Sequence, residues 1–463
     1  MIPSAVEIAK RVASRDVSAV EIMQQTLERI ERINPRLNAI VTLNERAVDE
    51  ARDVDMRVAA GEQLLLAGVP VGIKDVTEVK DVRTTYGSPL YKHNVAAEDA
   101  LIVRRLRAAG AVVVGKTNTP EFAAGGNTWN DVFGRTRNPW NTDLSAGGST
   151  GGGAAALATG LIAIAEGTDL GGSLRIPASF CGVVGLRPSP GLVPTYPAGW
   201  EWDTLQVSGT MARTAEDVAL SLQAVAGPSP LAPLRQPTAQ RDFPAAVRAG
   251  PKAGLRVAYC ADIAGIGVDP AVESVCRATA DALERDGIAV DTVALDLSFA
   301  RDAFLALRGE WFVAWMYERL EFLNKLGVNV RTNTQAGLTG DPRALGEAHR
   351  SRGRVWHMFR ALFEAYDHLL TPTMAVPPFP VEQNYPETVA GRAMQTYVDW
   401  LAPTFLLSLP GLPVASVPCG RDASGMPVGM QIVGRPEGEE AVLALAAVVQ
   451  RLRPIGLLET AAR

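Results

Sequence analysis

Three segments near the start of the chain read VPVGIKDV (residues 69–76), ALIVRRLRAAG (100–110) and AVVVGKT (111–117). The first and third segments are apolar runs next to glycine, and the segment between them has the apolar spacing of a helix. A strand, a helix and a second strand in this order are the unit of a parallel sheet that is buried on both faces. The sequence therefore predicts an α/β fold.

A second block of this kind begins after Gly254, with one helix entered at Asp269-Pro270 and a final helix from about Glu439. Its apolar runs are typical of buried strands and read LRVAYC, IAVDTVAL, HLLTPTMAV, LPVASVPCG and MPVGMQIVG. Together the two blocks predict a large mixed, mostly parallel β-sheet core with helices on both faces. Either two lobes or one continuous sheet satisfies this pattern.

The whole chain, residues 1–463, is predicted to form one domain. Ser18 and Glu21 have the spacing of a capping box, which indicates that a helix begins at Ser18. Six prolines indicate that residues 226–254 form a surface excursion or a linker. The other parts are an N-terminal helical clasp, a core and the second block, at about residues 1–60, 65–215 and 255–463.

The composition argues against several classes of protein. The 463 residues carry a net charge of −5 and 21% charged residues, which disfavours a nucleic-acid-binding surface and disorder. Only four His and four Cys are present, without a Cys-x-x-Cys or His-x-x-x-His pair. We therefore expect no metal site, no disulfide framework and no cofactor.

We expect a cytoplasmic protein with no membrane partner. The first residues, MIPSAVEIAKRVASRD, lack the basic region and the apolar run of a signal peptide. The longest uncharged stretch, residues 144–165, is apolar only from Ala154, which is too short for the ~20 residues that span a bilayer.

Residues 110–117, GAVVVGKT, match the Walker A pattern of a phosphate-binding loop. Such a loop turns its backbone N–H groups inward through conformations that suit glycine, whereas Ala111 to Val114 are apolar and mostly β-branched. Because these residues favour an extended strand, we interpret the segment as a strand and reject the phosphate site.

Residues 147–151, GGSTG, match the nucleophile elbow of hydrolases with a Ser-His-Asp triad. The elbow follows a strand and depends on a histidine, but the preceding residues, RNPWNTDLSA, favour turns. Of the later histidines, His349 and His357 lie in a helical pattern and His368 begins a buried strand. A histidine-dependent triad is therefore disfavoured.

Three residues form a better catalytic set: Ser149 in GGSTG, Ser173 in GTDLGGSLRIP (167–177) and Lys74 in VGIKD. This set resembles the amidase signature family, whose members use a serine, a second serine on a cis peptide and a lysine. The resemblance implies the amidase signature fold over most of the chain. It also includes GKTNTPEF (115–122), FCGVVGLRPS (180–189), LLTPT (369–373) and PVGMQIVGRP (427–436).

The resemblance implies a role for each member of the set. Ser173 is the nucleophile, and Ser149, joined to Gly148 by a cis bond, relays the proton to the base Lys74. A lysine acts as a base only when neutral, so its usual pKa of ~10.4 must be lowered, and burial does this. Lys74 lies in an apolar strand, whose alternation directs Asp75 to the opposite face.

The backbone N–H groups of Leu170, Gly171, Gly172 and Ser173 are the predicted oxyanion hole. The carbonyl oxygen of an amide becomes negative when the nucleophile attacks, and preorganised N–H donors stabilise that charge. Two consecutive glycines permit the conformations that point neighbouring N–H groups at one oxygen.

Three further residues are expected to support this loop. Asp169 and Arg175 flank it and are interpreted as a buried ion pair, with substrate binding by Arg175 as an open alternative. Thr150 stands where the family usually has Ser, and Ala146 stands where it usually has Pro. Because a hydroxyl remains at Thr150, we expect its hydrogen-bond network to persist.

The predicted substrate pocket depends on aromatic residues, which make up only 6% of the chain. Trp200 and Trp202 follow the core, Trp315 lies in a helical run, and Ala123 and Gly125 follow GKTNTPEF. We expect these five residues to line an apolar acyl or aryl pocket.

The sequence thus predicts an amidase, a hydrolase of C–N bonds other than peptide bonds, which cleaves an aryl or medium-chain amide through an acyl-enzyme. A carbamate (urethane) hydrolase or an amide-oligomer hydrolase of the same mechanism remains open.

Two other functions are disfavoured. A glutamine amidotransferase A-type subunit usually has a tyrosine- and serine-rich stretch where this chain reads GLVPTYPAGWEWDTL (191–205). A non-catalytic scaffold would not need all three catalytic residues. The expected partner is a small amide or carbamate, and the expected state is a monomer or a homodimer.

Overall fold

The computed structural model describes residues 2–456 and 458. Within them, one sheet of eleven strands runs through both predicted blocks. From one edge to the other its strands are Ile40–Leu43, Val112–Thr117, Pro70–Lys74, Ile164–Asp169, Val207–Ala212, Val184–Arg187, Val414–Arg421, Pro427–Val433, His368–Pro372, Arg256–Tyr259 and Ala289–Thr292. The continuous-sheet alternative is therefore the one that the chain adopts.

The sheet is mixed, as predicted, but its parallel ladders are the minority. Pro70–Lys74 is parallel to both of its neighbours, and so is Arg256–Tyr259 near the opposite edge. All ladders between these two groups are antiparallel, as is the one formed by Ile40–Leu43. The expectation of a mostly parallel sheet was wrong, because the central strands return antiparallel to one another instead of through crossover helices.

Helices cover the sheet. The first two begin with complete capping boxes, Ser4 with Glu7 and Ser18 with Glu21, which satisfy free N–H groups at each start. In the described residues the α-helices are Ala5–Ala13, Ala19–Leu37, Ala47–Ala59, Leu101–Ala108, Gly151–Ala158, Arg175–Cys181, Ala215–Val225, Phe243–Ala249, Pro270–Arg285, Arg301–Met316, Val328–Leu338, Pro342–Ala365, Ala402–Ser408 and Glu439–Leu452.

The proline-rich segment 226–254 is a surface excursion fixed to the core. Its helix Phe243–Ala249 buries Phe243 and packs against Glu439–Leu452. Arg241 pairs with Glu439 at 2.6 Å. Because both apolar burial and an ion pair hold the segment, it does not behave as a free linker.

The fold places two candidate residues at the carboxyl ends of neighbouring strands inside the sheet. Lys74 ends the strand Pro70–Lys74, and Asp169 ends its parallel neighbour Ile164–Asp169. The carboxyl ends of parallel strands meet on the same side, where open α/β sheets form their sites. In the part of the chain that the structure describes, no helix has the length and hydropathy to cross a membrane.

Candidate active site

Lys74 and Ser149 are in direct contact. The Lys74 Nζ lies 2.6 Å from Ser149 Oγ and 3.1 Å from Thr168 Oγ1, and the Lys74 and Ser149 side chains are completely buried. The peptide bond between Gly148 and Ser149 is cis, as the family resemblance implied. The structure thus brings together the predicted base and the predicted relay.

The loop that carries Ser149 requires glycine because other backbone segments approach it closely. A Cβ atom on Gly147, whose φ is +74°, would lie 2.9 Å from the Cα of Pro177. One on Gly148 would lie 2.8 Å from the carbonyl oxygen of Gly125. The glycine-rich sequence therefore forms a packed turn at the start of the buried helix Gly151–Ala158.

Ser173 lies against the same turn. The Thr150 N–H donates a hydrogen bond of 3.2 Å to the carbonyl oxygen of Ser173, so the two serine motifs abut. Ser173 is half-buried, whereas Lys74 and Ser149 are not exposed at all. Within the described residues its hydroxyl makes no hydrogen bond, either with Ser149 or with another group.

The predicted oxyanion hole loses one of its four donors. The Gly172 N–H donates to Asp169 Oδ1 at 2.8 Å, so it is not available to a substrate. The N–H groups of Leu170, Gly171 and Ser173 have no acceptor in the described part of the chain. Three donors therefore remain, because the carboxylate that braces the loop takes the fourth.

Asp169 and Arg175 form the predicted buried ion pair, with bonds of 3.0 and 2.9 Å. Arg187, which the sequence analysis missed, lies 3.5 Å from the same carboxylate. Burial alone would raise the pKa of Asp169, but Arg175 and Arg187 hold that pKa well below its usual range. Asp169 therefore stays ionised.

Arg175 has no N–H group left for a substrate. Its Nη1 donates to the carbonyl oxygen of Thr404 and to Gln431, and its Nη2 donates to Ser408 as well as to Asp169. The guanidinium is completely buried. The structure favours a bracing role over the alternative of a substrate carboxylate ligand.

The hydrogen-bond network expected at Thr150 does not form among the described residues. Its hydroxyl is buried without a partner. The side chain packs instead against Gly167, where an added Cβ would lie 2.7 Å from both the Thr150 hydroxyl and its methyl group. Among the described residues, Thr150 makes its hydrogen bonds through its main chain, and its side chain contributes packing.

The environment of Lys74 favours a neutral amine. Burial lowers the pKa of Lys74 to about 7, against the opposing effect of Glu166 and Asp169. Asp75 faces the other way, as the strand alternation predicts, accepting hydrogen bonds from Thr85 and lying 3.9 Å from Lys116. No ion pair with Asp75 therefore holds Lys74 in its charged form.

A cavity of about 610 Å³ lies beside Thr168, the second partner of Lys74. Trp200 and Trp315, two of the predicted pocket residues, line it together with Trp311. The ring of Trp311 lies 4.5 Å from that of Trp315. An aromatic wall thus borders the base end of the candidate site.

The other three predicted pocket residues do not line this cavity. Trp202 is 65% exposed, because its loop turns outward after Trp200. Ala123 and Gly125 belong to the turn that packs against Gly148, and so lie on the serine side of the site.

Comparisons with known proteins identify the family. A family model described as Amidase matches residues 21–443. The chain belongs to the amidase signature family. An acylamidase of Rhodococcus erythropolis is 36% identical over an alignment of 463 positions, which covers 97% of this chain and 95% of that protein.

Two further relatives differ in function from each other. A bacterial aryl acylamidase of the amidase signature family has a crystal structure with a TM-score of 0.91 and 28% identity, covering 98% of this chain and 96% of that one. The A-type subunit of the glutamyl-tRNA(Gln) amidotransferase of Thermosynechococcus vestitus is 34% identical over 97% of both chains. This amidase signature chain is therefore a hydrolase of C–N bonds other than peptide bonds.

The rejected phosphate loop and the last histidine considered for a Ser-His-Asp triad have ordinary structural explanations. GAVVVGKT contributes the strand Val112–Thr117, in which Lys116 is buried and donates to the carbonyl oxygen of Thr77. His368 is buried in a strand, and burial lowers the pKa of its imidazole to about 4. The predictions of a strand at both places are confirmed.

Sequence reasoning missed one acidic residue of the site, Glu166. Its Oε2 accepts a hydrogen bond of 3.1 Å from the main-chain N–H of Lys74, and its side chain is completely buried. A single Glu inside the apolar run IAIAEGTD was the available signal, since charged residues are rarely buried without partners.

Proposed function

We propose that this chain hydrolyses an apolar amide through an acyl-enzyme on Ser173. The observation that carries the proposal is the completely buried contact of 2.6 Å between Lys74 Nζ and Ser149 Oγ, in a turn whose Thr150 N–H donates to the carbonyl oxygen of the half-buried Ser173. A buried lysine of lowered pKa and a serine in contact with it form a base and a relay.

Acylation starts when neutral Lys74 takes the Ser149 proton and Ser149 takes the proton of Ser173. The Ser173 oxygen attacks the amide carbonyl, and the free N–H groups of Leu170, Gly171 and Ser173 stabilise the oxyanion. Protonated Lys74 then returns its proton through Ser149 to the leaving nitrogen. The amine departs, and Ser173 remains acylated.

Deacylation repeats these steps with water as the nucleophile. Lys74 takes the proton of the attacking water through Ser149, and the same N–H groups stabilise the second oxyanion. Collapse of this intermediate releases the carboxylic acid and returns the proton to Ser173. The enzyme is thereby regenerated.

The proposed substrate is an aryl or medium-chain amide. The tryptophans of the cavity beside Thr168 provide flat apolar surface for such a group. Similarity to an acylamidase and to an aryl acylamidase supports the same class. Carbamates and amide-linked oligomers fit the same mechanism.

A glutamine-hydrolysing chain is the second candidate, because this protein is 34% identical to the A-type subunit of an amidotransferase. Glutamine is small and polar. The three tryptophans that line the cavity of about 610 Å³ offer aromatic contact to a larger apolar group, which glutamine lacks.

The test is hydrolysis of a matched set of anilides, alkyl amides, carbamates and glutamine by the wild type and Ser173→Ala. We expect the highest kcat/KM for an anilide or a medium-chain amide, and loss of nearly all activity in the variant. A strong preference for glutamine would support the second candidate instead.

A serine-directed covalent probe tests the nucleophile independently. Mass spectrometry should place the adduct on Ser173, because Ser173 is only half-buried and Ser149 is completely buried. An adduct on Ser149 would contradict the proposed roles.

A further inference from the structure

Glu166 is a buried carboxylate one strand away from Lys74. It lies on the strand Ile164–Asp169, which runs parallel to Pro70–Lys74. Its side chain has no exposed surface. Because burial of a carboxylate is costly, its contacts must compensate for the lost water.

Both carboxylate oxygens of Glu166 accept hydrogen bonds from the segment that contains Lys74. Oε2 accepts from the main-chain N–H of Lys74 at 3.1 Å, and Oε1 accepts from the Thr77 hydroxyl at 2.9 Å. These contacts fix the main chain at Lys74, while Ser149 and Thr168 fix the far end of the side chain. The lysine is thus held at both ends.

Two lysines face Glu166 from two strands. One is Lys74, and the other is Lys116 on Val112–Thr117. Lys116 has its own carboxylate, since Asp75 lies 3.9 Å from its Nζ.

The other acid near Lys74 is Asp169. Arg175 and Arg187 both pair with it, so its charge is already compensated. Glu166 is therefore the acid close to Lys74 that no arginine neutralises among the described residues.

We propose that Glu166 is a positioning residue for Lys74, which fixes the main chain at Lys74 and supplies the negative charge that keeps its buried amine basic enough to accept a serine proton. This inference rests on the proposed role of Lys74 as the base. Burial lowers the pKa of Lys74 and raises the pKa of Glu166, each to about 7, and the charge of each group opposes the shift of the other. An amine with a pKa far below the working pH would be neutral but a weak base.

Glu166→Gln tests the charge, because it keeps the size of the side chain and one acceptor oxygen. The acid limb of the pH profile of kcat/KM reports the loss of a proton from Lys74 and Glu166 together in the wild type, and from Lys74 alone in this variant. We expect this limb to move to lower pH by about one unit or more, the usual effect of removing an opposite charge nearby. A folded Glu166→Gln enzyme whose acid limb stays at the wild-type pH would overturn the inference.

Glu439→Gln is the matched control. Glu439 is also completely buried, accepts a hydrogen bond of 2.8 Å from the Ser189 N–H and pairs with Arg241. We expect its acid limb to coincide with that of the wild type. An equal shift in both variants would show a general effect of charge removal and would overturn the specific role of Glu166.

Glu166→Asp separates charge from position. It retains the negative charge, so its acid limb should stay near that of the wild type, while kcat falls because the shorter side chain cannot make both hydrogen bonds. If Glu166→Gln does not fold, Thr77→Val should move the limb in the same direction by less, because one hydrogen bond to the carboxylate is lost. An unmoved limb there would overturn the inference.

Failure of the proposed function has a different signature. If Lys74→Ala retains full activity, Lys74 is not the base, and both proposals fail. If Lys74→Ala is inactive but the acid limb does not move in Glu166→Gln, only the role of Glu166 fails.

Discussion

The proposed proton relay and the cavity beside it differ in how their side chains are held. Lys74 and Ser149 are completely buried and bonded to each other. Among the cavity residues, Trp315 is only half-buried and Tyr317 is 71% exposed. In the proposed function the buried part carries chemistry that suits any amide, and the more exposed part, which can change without loss of the fold, selects the amide.

The largest effect on activity is expected from removing the buried amine of Lys74. In Lys74→Ala, kcat/KM at neutral pH should fall by about 10²–10⁴-fold, the usual contribution of a general base. Activity should recover partly at high pH, where hydroxide removes the serine proton. In the wild type, kcat/KM should rise as the pH increases through the pKa of Lys74, about 7, because only the neutral amine is a base.

A surface lysine provides the control for this variant. Lys252 is exposed and pairs with Asp367 at 2.6 Å. Lys252→Ala should keep the wild-type rate and pH profile. An unchanged rate in Lys74→Ala, measured beside this control, would refute the role of Lys74.

The next largest effect is on stability and concerns the brace of the oxyanion loop. Asp169→Asn should lower the free energy of unfolding by about 3–5 kcal/mol, because Arg175 and Arg187 then lie buried without a carboxylate. Urea titration measures this loss. Asp286→Asn, which breaks only the exposed pair with Arg451, should cost at most about 1 kcal/mol. Equal losses would contradict the brace.

The buried segments of the site were easier to predict from the sequence than its exposed loop. The strand that contains Lys74 and the glycine-rich turns around Ser149 have strong local patterns, because burial and close backbone approach restrict the residues allowed there. The outward position of Trp202 has no such pattern, since an aromatic residue in a loop can face either way. The donor lost at Gly172 depends on the position of the Asp169 carboxylate, which spacing alone does not specify.

Strand direction was the main error in the fold. The apolar runs from Leu412 to Gly434 were correctly predicted as strands, but the composition of a buried strand is the same in parallel and antiparallel ladders. A short turn joins these two strands into an antiparallel hairpin. Connection length, rather than hydropathy, therefore carries the information about direction.

A smaller effect is expected from removing a side chain of the more exposed cavity. Trp315→Ala should lower kcat/KM for an anilide about tenfold relative to a small alkyl amide, because the aryl group loses part of the cavity wall. The ratio of the two substrates separates this loss from any general destabilisation. Trp202→Ala should leave the ratio unchanged, since Trp202 is 65% exposed and lies outside the cavity. Equal effects would place the aryl group elsewhere.

The smallest expected effect concerns Thr150, which adjoins the relay but does not share its hydrogen bonds. Because the Thr150 hydroxyl is buried without a partner, Thr150→Val should be neutral or slightly stabilising. Thr150→Ser should cost about 1 kcal/mol, since it removes a methyl group packed against Gly153 and Gly167. Thermal unfolding of the two variants decides the matter. A Thr150→Val protein that is less stable than the wild type would contradict this expectation. It would show that the Thr150 hydroxyl takes part in the buried hydrogen-bond network beside Ser149.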